Sequence, residues 1–172
     1  ALAQPGLVAG LVLEDPAWRV GRAVDSRGVP LGLREGVLDM AGRDEESLRE
    51  LGRAQNPQWP LDEIAPWAAA KRAVDPRVID LPHRWDERDW GEELGAVRAP
   101  VTLLTGRTEQ GAIVDEAQAA RARELLGGRL SRSALPTGHC VRREARAEVE
   151  ALVLDALRRA DEHARRAGPA EG

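Results

Sequence analysis

The stretch APVTLLTGRTE, residues 99–109, decides the fold. Its apolar part, Val101 to Thr105, is introduced by a proline and ended by Gly106, which is typical of a strand buried on both faces of a parallel sheet. Two other runs share this character, at residues 7–13 and 130–135, and each is closed by a proline within three residues. We therefore expect three parallel strands, with the strand at 7–13 in the interior of its sheet.

Helical patterns connect and follow the last two strands. Residues 115–126 contain good helix formers, begin with an acidic residue and end at a pair of glycines, which are the start and stop signals of a helix. Residues 142–160 repeat apolar side chains at helical spacing. The order strand, helix, strand, helix predicts an α/β layer with right-handed crossovers.

The segment 17–96 has a different composition. It contains all five tryptophans and several prolines, and short helical patterns at 45–54 (with Asp44 as N-cap), 62–74 and 84–94. Because this segment lies between two predicted buried strands, we expect a helical cap, or lid, at 17–96 on a core made of 1–16 and 97–163. Residues 164–172 are expected to be a disordered tail.

Composition restricts the classes of function. The chain has 172 residues, 42% of them hydrophobic and 31% charged, with a formal net charge of -4. Its basic residues are scattered among acidic ones, so we expect no nucleic-acid partner, and its longest apolar run is too short for a membrane span. The single cysteine, Cys140, forms no internal disulfide and offers no metal set. We expect no metal, no cofactor and a cytoplasmic location.

Two polar residues follow predicted strands at positions suited to catalysis. Glu109 lies in the turn after the strand at 101–105, and His139 lies in the turn after the strand at 130–135. Open α/β sheets hold their sites at the carboxyl ends of their strands. An imidazole exchanges protons near neutral pH, and a carboxylate can orient it. The pair therefore predicts the acid and base of a catalytic triad.

In order along the chain, three segments resemble the C-terminal half of an α/β-hydrolase with a helical cap. LVLEDP at 11–16 resembles the sixth core strand, the stretch at 99–109 resembles the seventh strand with its glycine, two variable residues and acid, and LPTGH at 135–139 resembles the eighth strand and histidine loop. The resemblance implies the chain order nucleophile, acid, base, with Glu109 as acid and His139 as base. Some relatives carry the acid after the sixth strand, which makes Asp15 the alternative acid and Glu14 a weaker one.

The nucleophile that this resemblance implies is missing, because the sequence contains no Gly-x-Ser-x-Gly elbow. We expect a portion of a hydrolase that acts on a small ester, thioester or amide substrate and is inactive by itself. Two alternatives stay open: a non-catalytic relative or helical interaction module, and a dehalogenase or epoxide hydrolase with an aspartate nucleophile.

The remaining expectations concern the pocket and the partner. Trp18 follows the first strand and is a candidate for the wall of a substrate pocket, with core packing as its alternative. The chain begins without methionine, so we expect a truncation. An apolar strand edge left open by it would dock with a missing N-terminal half or associate with itself. His83, His163 and Cys140 are expected to be structural.

Overall fold

The computed structural model describes residues 1–18, 29, 32–81 and 89–167. The chain divides into two compact units, residues 1–18 with 88–172 and residues 19–87. The first contains the sheet, and the second is an insertion within it. This insertion covers most of the segment 17–96 that we expected to be a cap; its action as a lid stays a prediction.

Three parallel strands form the sheet, in the order β1 (Leu11–Glu14), β2 (Val101–Thr105) and β3 (Leu130–Ala134). Leu11 is opposite Val101, and Val101 is opposite Leu130. Every residue of β2 is buried, as its continuous apolar sequence predicts. The α/β class with a sheet of three parallel strands is therefore confirmed.

The first strand differs from the expectation. It spans residues 11–14 and not 7–13: Pro5–Leu7 forms a 3-10 turn, in which Leu7 is exposed, and residues 8–10 precede the strand. Within the part of the chain that the structure describes, β1 is also an edge strand, and the interior position expected for it is not observed. Its burial is partial, with Val12 42% exposed.

The helices, in chain order, are α1 (Leu33–Ala41), α2 (Glu45–Gln55), α3 (Leu61–Ala73), α4 (Trp90–Gly95), α5 (Glu116–Leu126), α6 (Val141–Glu144) and α7 (Arg146–Ala167). Those at 45–54, 62–74 and 115–126 were predicted to within one residue at each end. α1 was not predicted, and the helix expected at 84–94 is described only at α4, since residues 82–88 lie outside the described part. The helix expected at 142–160 is divided at Ala145, whose backbone is not helical.

Helices cover both faces of the sheet. On one face, side chains of all three strands pack with Leu94 of α4 and with Ala122 and Leu126 of α5. On the other face, Leu104 packs with α6 and α7. α4 thus belongs to the core unit and not to the expected cap. α7 continues to Ala167, so residues 164–167 of the expected tail are helical, and residues 168–172 lie outside the described part.

The inserted unit has a small core of its own. Leu48 and Ile64 are buried between α2 and α3, and the rings of Trp59 and Trp67 meet edge to face at 6.5 Å. Gly52 brings α2 close to Trp67, whose ring would lie 3.0 Å from an added methyl group. Across the described residues of both units, helices long and apolar enough to cross a membrane are absent.

Candidate active site

Asp15 follows the last residue of β1 and is completely buried. Its φ of 36° makes it the single non-glycine residue with positive φ in the described part of the chain, and such backbone strain is concentrated at functional positions. The carboxylate accepts hydrogen bonds from the backbone N–H groups of Ile113 (2.8 Å) and Val114 (3.0 Å). These two donors satisfy part of the hydrogen-bonding capacity of a charge that would otherwise be costly to bury.

His139 completes the surroundings of this carboxylate. Its Nδ1 lies 2.8 Å from Oδ2 of Asp15, although the two residues are 124 positions apart. An ionised carboxylate only accepts hydrogen bonds, so with Asp15 ionised the proton of this bond is on Nδ1. The imidazole side chain is 54% exposed. A neutral His139 in this tautomer would have an unprotonated Nε2, the atom that a general base needs.

The loop that carries His139 is packed closely on the loop after β2. The backbone N–H of Arg107 donates to the carbonyl of Thr137 at 2.7 Å. A methyl group on Gly106 would overlap the carbonyl oxygens of Thr137 and Gly138. Only a residue without a side chain fits here, which explains why the apolar run of β2 ends at a glycine.

Glu109 lies elsewhere. It is in the 3-10 turn Thr108–Gln110 and is exposed to solvent. Among the described residues, no hydrogen bond or ion pair connects Glu109 with His139. The structure therefore brings His139 together with Asp15, the alternative acid, and not with Glu109, the acid that we expected first.

Trp18 lies three residues after Asp15 but packs into the hydrophobic core. Its ring stacks on that of Trp90, with centroids 4.5 Å apart and planes 8° apart. Its backbone carbonyl accepts a hydrogen bond from the side chain of Gln118 at 2.6 Å. Core packing accounts for these contacts, and a role in substrate binding stays a prediction.

A small cavity of about 200 Å³ adjoins His139 and is lined by Glu14, His139, Cys140, Arg142 and Arg143. Burial raises the pKa of the Cys140 thiol, so its reactive thiolate is disfavoured. Of the other histidines, His163 is exposed on α7, and His83 lies outside the described residues. No cluster of three potential metal ligands was found in the described ranges.

Sequence reasoning missed the main-chain groups and carboxylates that hold this site. Glu14 accepts from the backbone N–H of Arg142 at 2.9 Å, and Glu144 accepts from that of Gly138 at 2.7 Å. The acidic pair Glu14 and Asp15 at the end of a strand was the available signal. Nothing in the local sequence indicated which carboxylate would reach the histidine.

Comparison with solved structures places this geometry in a known fold. The chain is similar to E-2-(acetamidomethylene)succinate hydrolase, with a TM-score of 0.63 and 14% identity over 91% of this chain and 60% of that one. It is also similar to a thioesterase domain from the curacin biosynthetic pathway, with a TM-score of 0.58 and 16% identity over 90% of this chain and 60% of that one. A third similar structure is a carboxylesterase from Bacillus subtilis, with a TM-score of 0.51 and 19% identity over 86% of this chain and 50% of that one. No model of a protein family and no curated protein sequence matches the chain.

These neighbours establish the α/β-hydrolase fold. By name, the three are a hydrolase, a thioesterase domain and a carboxylesterase. The chain spans between one half and three fifths of the length of the three structures named above. That coverage is consistent with a C-terminal portion of the fold.

Proposed function

We propose that this chain provides the acid and base of a hydrolase that acts on a small ester, thioester or amide-type substrate. The observation that carries the proposal is the hydrogen bond between Nδ1 of His139 and the buried carboxylate of Asp15. The proposal assigns the acid to Asp15. Glu109, exposed and without a described contact to the imidazole, is the alternative.

In the proposed reaction, Nε2 of His139 accepts the proton of a hydroxyl nucleophile as that hydroxyl attacks the substrate carbonyl. His139 then returns the proton to the leaving group. Asp15 holds the ring in the required tautomer and stabilises the imidazolium as it forms. The N–H groups of Ile113 and Val114 hold the carboxylate in place, so that little reorganisation is needed during turnover.

The proposal requires a nucleophile from outside residues 1–172, because these residues contain no Gly-x-Ser-x-Gly elbow. We place the junction at the free side of β1. Leu11 and Asp15 donate their N–H groups to Pro100 and Leu104, on the β2 side. Since alternate residues of a strand direct their backbone groups to opposite sides, those of Val12 and Glu14 point to the free side. A parallel strand of the nucleophile-bearing segment would pair there.

Complementation tests this proposal. The chain would be mixed with a polypeptide made from the sequence encoded directly upstream of Ala1 and assayed with p-nitrophenyl acetate, beside each component alone. We expect hydrolysis only in the mixture. Hydrolysis by this chain alone would show that no partner is needed.

Variants in the active mixture test the two residues. Asp15→Asn is expected to lower kcat by about 10⁴-fold, as loss of the orienting carboxylate does in triads, and His139→Ala by at least as much. Glu109→Gln is the matched control and should leave kcat unchanged. The opposite result, with loss in Glu109→Gln and none in Asp15→Asn, would assign the acid to Glu109. Full activity in His139→Ala would end the triad proposal.

A further inference from the structure

Three carboxylates converge on the short loop that carries His139, and only one of them touches the imidazole. Asp15 binds the ring at Nδ1. Glu144 binds the backbone of the preceding residue, where its Oε2 accepts from the N–H of Gly138 at 2.7 Å. Glu14 binds the backbone three residues later, where its Oε1 accepts from the N–H of Arg142 at 2.9 Å.

Glu144 connects the histidine loop to the helix that follows it. It is the last residue of α6, yet its carboxylate reaches back six positions to the N–H of Gly138. The contact is partly buried, where a hydrogen bond to an ionised acceptor is shorter and stronger than one between neutral groups. Gly138 can form it closely because its backbone has no side chain in the way: a methyl group there would overlap the carbonyl of Gln110.

Glu14 connects the same loop to the sheet. It is adjacent to Asp15 in sequence, so the end of β1 provides one hydrogen-bond acceptor for the imidazole of His139 and another for the backbone N–H of Arg142. Its second oxygen accepts from Nη1 of Arg142 at 2.9 Å, and the Glu14 side chain is only 21% exposed. Both carboxylate oxygens are therefore bound to one residue, which fixes the start of α6 relative to β1.

We propose that Glu144 and Glu14 are positioning residues for His139, and that together they fix the loop so that Nδ1 stays within hydrogen-bonding distance of Asp15. The importance of this positioning for catalysis rests on the proposed function. Its test does not, because the test measures only the hydrogen bond between His139 and Asp15. A small displacement of the loop would break a 2.8 Å hydrogen bond, whereas the fold of the sheet would be preserved.

The proton between Nδ1 and the carboxylate reports on this positioning directly. A hydrogen bond to an ionised acceptor is a strong one, and a proton in such a bond gives a resolved low-field resonance in the ¹H NMR spectrum when it exchanges slowly with water. We expect this resonance in the wild-type chain. We expect it to be lost in Glu144→Ala and retained in Glu144→Gln, since the amide oxygen of glutamine still accepts from Gly138. Glu14→Ala should broaden or remove it, and Glu14→Gln should retain it.

Glu148→Ala is the matched control, because Glu148 is an exposed acidic residue of α7 near Glu144. It removes the same charge without a described contact to the loop, and the resonance should be unchanged. A resonance that survives in both folded alanine variants overturns the proposal. If Glu144→Ala does not fold, hydrogen exchange of the Gly138 amide in the wild-type chain tests the role of Glu144. Protection of this amide supports the proposal. Exchange as fast as in an open loop contradicts it.

The test also separates this proposal from the one on which it rests. ¹⁵N chemical shifts of the His139 ring that place the proton on Nε2 and leave Nδ1 unprotonated in the wild-type chain contradict the Asp15 and His139 pair itself. Presence of the low-field resonance, with no response to Glu144→Ala or Glu14→Ala, overturns only the positioning role.

Discussion

At the scale of single residues, Asp15 combines three properties that are individually uncommon. It is a completely buried carboxylate, its backbone has positive φ, and it is bound by two backbone N–H groups and one imidazole. Burial of the carboxylate and the positive φ each cost stability, and the three hydrogen bonds offset the cost of burial. Such a residue is expected to contribute to the stability of the fold as well as to catalysis.

Replacement of Asp15 should show both contributions. Asp15→Ala leaves the N–H groups of Ile113 and Val114 without an acceptor, and each buried unsatisfied donor costs roughly 1–3 kcal/mol. Asp15→Asn keeps one carbonyl oxygen and should lower the free energy of unfolding less than Asp15→Ala. Urea denaturation of the two variants measures this. Glu109→Ala, at an exposed position, is the control and should change the free energy of unfolding by less than about 0.5 kcal/mol.

Cys140, the neighbour of the proposed base His139, gives a prediction of pH dependence. Burial is the largest cause that raises the pKa of its thiol; Glu144 and Glu14 raise it further, and Arg143 and Arg142 lower it. Since a raised pKa leaves less thiolate at any given pH, alkylation by iodoacetamide should be slow at neutral pH. Its rate should increase with pH, with a midpoint above that of glutathione measured in parallel. A midpoint below that of glutathione would contradict the prediction.

At the scale of elements, the site depends on the fit between two loops. The loop after β2 contacts the loop after β3 through Gly106, with a hydrogen bond from Arg107 to Thr137 beside it. The contact places the His139 loop on the carboxyl end of the sheet, near Asp15. A change in either loop should therefore affect the position of the imidazole.

Gly106→Ala tests this fit. The added methyl group overlaps two backbone carbonyls, which cannot move as a flexible side chain can, so we expect a loss of about 1–3 kcal/mol in the free energy of unfolding. Gly36→Ala is the control: Gly36 lies within α1 with no atom near the added methyl group. It should be neutral or stabilising by up to about 1 kcal/mol. Thermal denaturation of both variants measures the difference, and equal melting temperatures would contradict the prediction.

The sequence predicted the helices and strands better than it predicted the site. The reason is that local interactions define the helices and strands, whereas contacts between residues far apart in sequence define the site. β2 and α5 are defined by local signals: a continuous apolar run in one, and in the other the capping box of Asp115 and Gln118 that the structure shows. The partner of His139 is defined by a contact over 124 positions. The spacing from Gly106 to Glu109 indicated an acid, but the backbone turn at 108–110 leaves that residue exposed. The positive φ of Asp15 had no local signal at all.

At the scale of the whole molecule, the feature with the largest consequence is the free side of β1, the side that pairs with no strand among the described residues. The backbone groups of Val12 and Glu14 point to that side, and the Val12 side chain is 42% exposed. A groove of about 530 Å³ adjoins the strand, with Leu11, Leu13, Trp18 and Trp90 among its walls. An open strand edge with apolar surroundings is a template for pairing with another chain.

We therefore expect the isolated chain to associate with itself through β1 as its concentration increases. Val12→Lys should reduce this association, because a charged side chain at a strand edge would have to be desolvated on pairing. Leu38→Lys is the matched control: it replaces an apolar side chain of similar exposure, 47%, on α1 of the inserted unit, whose described residues form no strand. Sedimentation equilibrium over a concentration series would measure the mass of each variant. Equal association in wild type and Val12→Lys, or a loss in Leu38→Lys as large as that in Val12→Lys, would place the contact on another surface.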